Sequence, residues 1–201
     1  MSATVGTRNA SPGVDHSSGA GWKTFFIWVG LSLLAFPIAG ELAHIIAGPI
    51  DGVAPALIGG ALTGAGIGFA QWLMLRGSLG VGLDWIVVTA VGLAVGLAVG
   101  AVAVGYETDV ADLAIMGAIS GAFLGIGQGV LLRGRFSLWI AWMVVIPVLW
   151  SAAWVVSSAV IGNNVDEQFI VFGASGAIVF GCLSGVLLVA GMRQSEKKAS
   201  E

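Results

Sequence analysis

Charge is what this chain has least of. Asp, Glu, Lys and Arg together make up 9% of its 201 residues, against roughly 25% in soluble domains. A chain so poor in charge cannot present a water-facing surface. With 57% apolar residues and a mean hydropathy of +0.98, it belongs in lipid. Cysteine is nearly absent too: Cys182 stands alone inside an apolar run, which excludes a disulfide framework. No Ser–His–Asp set, cysteine cluster or Walker pattern occurs, so the enzyme classes built on them have no residues here. The string GAGIGFA (64–70) imitates a dinucleotide motif but lies within an apolar run, where no strand can precede it. The chain is therefore expected not to be an enzyme, to carry no cofactor or metal, and to bind no nucleic acid.

What is present is repetition. Trp28, Trp85 and Trp142 stand at equal intervals, each near the start of a long apolar run, and each run is followed by a second, glycine-rich one. The pattern predicts an all-α membrane protein: six transmembrane helices arranged as three repeated hairpins, at about 22–78, 79–135 and 136–192. The spans are expected at 25–47, 53–75, 85–105, 111–132, 138–161 and 169–192, each near the ~20 residues needed to cross hydrocarbon. Residues 1–21, rich in Ser, Gly and Thr, read as a disordered tail, and 194–201 as a second tail after the six-helix domain of 22–193. A secretory signal peptide is the rival reading of the first span. The long polar lead and the lack of a small-x-small cleavage site argue against it.

The scarce charges carry the topology. In the six-span arrangement all eight basic residues (Arg8, Lys23, Arg76, Arg133, Arg135, Arg193, Lys197 and Lys198) fall on one side. The positive-inside rule then places both termini in the cytoplasm. Seven of the eleven acidic residues lie toward the other side, which has no Lys or Arg. Trp22, Trp28, Trp72, Trp85, Trp139 and Trp142 gather near the basic ends and read as interfacial anchors. Trp150 and Trp154, four apart in mid-span, either line a cavity or face lipid.

Small residues recur every fourth position in the even-numbered spans: Gly60, Gly64, Gly68; Gly117, Gly121, Gly125, Gly129; Gly173, Ala177, Gly181, Gly185. Close backbone approach replaces the missing hydrophobic drive between helices in lipid. The expectation is a pseudo-three-fold bundle with spans two, four and six as an inner glycine-zipper set.

Polar candidates are few. Glu41 and His44 share a face of span one near its outer end, where an ionisable residue is a functional candidate by default; the plain alternative is an interfacial pair. A di-iron site would need a second Glu-x-x-His, which is missing. Gln71 and Gln128 match in the first two repeats, with Ser184 or Gly185 in the third. They read either as a mutual hydrogen bond or as a polar constriction. Asp51, Glu107, Asp109, Asp112, Asp166 and Glu167 cluster at the outer loops, as a cation-gathering ring or as solvated loops and helix N-caps. Arg76, Arg133 and Arg135 are expected at lipid headgroups.

The strings GFAQWLMLRG (68–77), GIGQGVLLRG (125–134) and VDEQFIVFGASGA (165–177) resemble small multi-span bacterial membrane proteins. Those proteins, from actinobacteria and cyanobacteria, repeat a glycine-rich helix ending in a QWLVLR-type string. The resemblance covers most of 22–192. It implies a bacterial inner-membrane protein and carries no activity with it. The tripled two-helix plan is also similar in architecture to mitochondrial carriers, but their Pro-x-acid-x-x-base signature is absent and these repeats are shorter.

Short loops, few polar groups and glycine stripes leave little room for a solute vestibule. The first functional expectation is accordingly a non-enzymatic accessory or scaffold subunit, or a self-assembling bundle. Its partners would be membrane lipids and either a membrane protein or further copies of itself. The alternative is a small ion or solute transporter or channel using the outer carboxylates, Glu41/His44 and Gln71/Gln128. Pigment or haem binding through His44 is a third reading, weakened by there being only one axial ligand.

Overall fold

A backbone in hydrocarbon must satisfy its own N–H and C=O groups, and a chain without alternating strands does so only as helix. The computed structural model describes residues 16–161 and 169–201, the backbone alone for 16–20 and 169. Its elements are α1 (His16–Ala47), α2 (Val53–Ser78), α3 (Asp84–Ala103), α4 (Val110–Leu132), α5 (Trp139–Ile161) and α6 (Phe169–Ser200). By length and composition all six can cross a bilayer, which makes this a multi-pass integral membrane protein. Two boundaries differ from expectation. Helix α1 already begins within the predicted 1–21 tail, and α6 continues through the predicted tail at 194–201.

The helices form a closed ring. Each packs on its two neighbours in sequence, and α1 meets α6 to close the circle; among the described residues α2, α4 and α6 do not pack backbone against backbone, and α2 reaches α4 through the Gln71 and Gln128 side chains. The expected inner trio is therefore corrected. The reason lies in where the glycines point. The α2 stripe faces α3, the α4 stripe faces α5 and the α6 stripe faces α1. A Cβ on Gly60 would lie 2.7 Å from the Ala94 Cα, one on Gly117 3.0 Å from the Ser151 Cα, and one on Gly173 2.9 Å from the Pro37 Cα. The small residues thus set helices side by side, and Ile67, Leu75, Leu124, Leu132, Phe180 and Leu188 of the same helices are buried in the interior. Lipid-facing positions such as Leu34, Ile38, Val87, Val91, Val144 and Val148 are exposed apolar side chains, as expected where the solvent is acyl chain.

Helix α3 ends in a Schellman-type turn: Tyr106 N–H donates to Ala101 O and Gly105 N–H to Val102 O. Gly105 takes φ +64° there, and Tyr106 follows with φ +65°, a left-handed conformation rare outside glycine.

Candidate functional site: a blind cavity inside the ring

The half of the ring toward the basic residues is solid. Trp28, Trp85 and Trp142 are fully buried, at 0% exposure, so the expectation that they anchor the membrane interface is corrected. They reach inward and are tied there by hydrogen bonds. Trp85 Nε1–H donates to Gln71 Oε1 at 3.1 Å, and Trp142 Nε1–H to Gln128 Oε1 at 3.0 Å, each pair 14 residues apart. Trp28 Nε1–H donates to Ser184 Oγ at 2.8 Å, so of the two candidates it is Ser184, not Gly185, that fills the glutamine's place in α6. Gln128 is the hub. Its Nε2 donates to Gln71 Oε1 (3.2 Å) and to Thr89 Oγ1 (3.0 Å), while the Thr89 hydroxyl donates back to Trp85 O (2.7 Å). The expected Gln71–Gln128 hydrogen bond is thus present. Trp28 also meets Trp142 edge-on, with centroids 6.0 Å apart, a geometry worth about 0.5–1.5 kcal/mol beyond burial. Leu75, Leu132 and Leu188, each 1% exposed, fill the next level toward the basic end.

The other half is hollow. A cavity of about 570 Å³ is lined from all six helices, by Ala43, Thr63, Leu97, Met116, Trp154 and Gly176 among others. Its floor, halfway along the helices, is Phe36, Ile67, Leu93 and Trp150. Trp150 is fixed between Phe36 and Phe180, with ring centroids 5.3 and 5.1 Å away. The cavity reaches the loops at the acidic end, where Asp51, Tyr106 and Thr108 border it. The expectation of no room for a vestibule is therefore corrected. Glycine seams at the perimeter fix the spacing of the ring, and the side chains facing its axis in this half do not fill it. Of the two options for Trp150 and Trp154, both line the cavity.

The other predicted residues divide. His44 and Asp51 line the cavity, whereas Glu41, half-buried one turn earlier on α1, does not. Glu107 and Asp109 are exposed and Asp112 is half-buried, all outside the lining. Asp109 occupies the N-cap position of α4 without a side-chain cap bond. Among the described residues no group of three or more His, Cys, Asp or Glu could hold a metal ion. Asp166 and Glu167 lie outside the described residues. Arg76 stacks over Trp72 at 4.7 Å and Arg133 over Trp139 at 5.8 Å, both at the basic end, where Arg135 is also exposed.

Sequence reasoning missed the inward role of Trp28, Trp85 and Trp142. The signal was available: the step from Gln71 to Trp85 equals the step from Gln128 to Trp142, which ties the tryptophans to interior glutamines. No protein-family model, curated protein or solved structure matches this chain.

Proposed function

We propose that this chain is a small-solute carrier of a bacterial inner membrane, acting without catalysis. Three hairpins of one repeated unit surround a binding cavity that faces the outer side, and the tryptophan–glutamine level is the closed inner gate. The observation that carries the reading is the cavity of about 570 Å³ ending on a hydrogen-bonded plug. Pockets of roughly 300–1,000 Å³ hold small molecules, and a site near the bilayer midplane between internal repeats is a recurrent carrier plan. A scaffold needs no such space. The distribution of Lys and Arg supports cytoplasmic termini, and the resemblance of the glycine-rich strings supports the bacterial membrane.

A cavity-filling variant tests this. Leu97, 6% exposed, lines the wall. Proteoliposomes of the parent protein, incubated with a small-molecule bacterial extract, are expected to retain at least one solute absent from Leu97→Trp proteoliposomes, read by mass spectrometry of the lumen. Equal retention in both, or none in either, contradicts the carrier reading.

A further inference from the structure

We infer that the cavity takes a lipophilic organic monocation; this rests on the cavity reading and adds the class of ligand. Three observations converge. First, the described lining carries no Lys or Arg, its one basic side chain being His44, and all seven described Lys and Arg residues sit at the opposite end of the ring. Second, the wall is unusually aromatic: Phe36, Tyr106, Trp150, Trp154 and Phe172 all border the space. A ring face carries negative quadrupole density and attracts a cation within about 6 Å, most strongly for Trp and where water is excluded. Third, among the described residues Asp51 is the one carboxylate on the lining and stands at the loop end, where Glu107, Asp109 and Asp112 add further negative charge. A low-dielectric cleft with charge of one sign at its mouth focuses the field and concentrates counter-ions there.

The division of labour follows. The carboxylates draw a positive molecule to the mouth, and Asp51 meets it first. The apolar wall then favours a greasy body over a hydrated metal ion, because among the described residues no group of three or more Asp, Glu, His or Cys replaces the ion's water. The charge, spread over a bulky ion, settles against Trp150 and Trp154. An anion of the same shape meets the carboxylates at the mouth and no described Lys or Arg beyond them.

Tetraphenylphosphonium and tetraphenylborate provide that comparison, being alike in shape and opposite in charge. Binding is read by equilibrium dialysis of the full-length protein in detergent, with Leu97→Trp as the blocked-cavity control. The phosphonium ion is expected to bind the parent protein and to lose binding in Leu97→Trp. Trp154→Leu and Asp51→Asn are each expected to weaken it by roughly tenfold, both remaining monodisperse on size exclusion. Cavity-dependent binding of tetraphenylborate in preference to the phosphonium ion would overturn the charge class while leaving a ligand cavity in place. Phosphonium binding that persists in Leu97→Trp, or its absence from the parent, would overturn the inference outright, whereas the extract experiment above judges transport independently.

Discussion

A Gly64→Leu chain is expected to fail as a folded monomer, whereas Gly30→Leu should behave like the parent. Both are glycine-to-leucine changes within apolar helices, so composition and insertion are equally affected. They differ in what a side chain would meet. On Gly64 a Cβ would lie 2.6 Å from Thr89 O and 2.8 Å from the Ala90 Cα, backbone atoms that cannot rotate aside. On Gly30 it would meet nothing within 4 Å. Overpacking a tight interior costs about 1–3 kcal/mol and sometimes more. Here the remaining atoms of leucine also force α2 from α3 along the seam, and lipid offers no hydrophobic drive to close it again. Size exclusion in mild detergent, with thermal unfolding of whatever is recovered, decides the point. An intact, parent-like Gly64→Leu protein would mean that the α2–α3 seam is not a close backbone contact.

Gln128→Leu is expected to damage both stability and closure of the plug. Its amide serves Gln71, Thr89 and Trp142 at once, and leucine serves none of them. Hydrogen bonds between membrane helices average about 0.6 kcal/mol each, so three lost together amount to about 2 kcal/mol. Gln71 keeps its bond from Trp85, but the Trp142 N–H left behind must then find water, and the nearest space for it is the cavity above. Proteoliposomes carrying Gln128→Leu should therefore show erythritol permeability where the parent shows none, together with a lower unfolding temperature. Ser184→Ala strands the Trp28 N–H alone and should unfold earlier by a smaller margin. Unchanged permeability and stability in Gln128→Leu would remove the network from any gating role.

Much of this architecture was legible in the residues. Helix count and the approximate spans followed from apolar length, and the Gln71–Gln128 contact from matching positions at the ends of glycine-rich runs. The direction of the glycine stripes was not legible. Spacing tells that Gly60, Gly64 and Gly68 share a face, but a smooth face fits a neighbour beside it as well as one across a central axis. Side-chain volume decided between them: a centre filled by Trp28, Trp85 and Trp142 leaves no place for three helices in mutual contact. The tryptophans misled for a related reason. They sit near helix ends, where indole usually marks the interface, and only the 14-residue step of Trp85 and Trp142 from the glutamines of the preceding helices distinguishes an inward ring from an outward one. The cavity was invisible because it is a remainder. It arises where the axis-facing residues become small, as at Ala43 and Ala153, and no single residue announces that.

The claim on which the rest depends is that the ring is hollow toward its acidic end and sealed toward its basic end. Single cysteines at positions 97 and 75, in a Cys182→Ser background, test it in sealed vesicles with a membrane-impermeant thiol reagent, using cysteine at position 109 to mark the acidic side. Position 97 should react from the side on which 109 reacts and from no other, and position 75 from neither. Labelling of position 97 from the basic side, or its complete protection from both, would contradict the account.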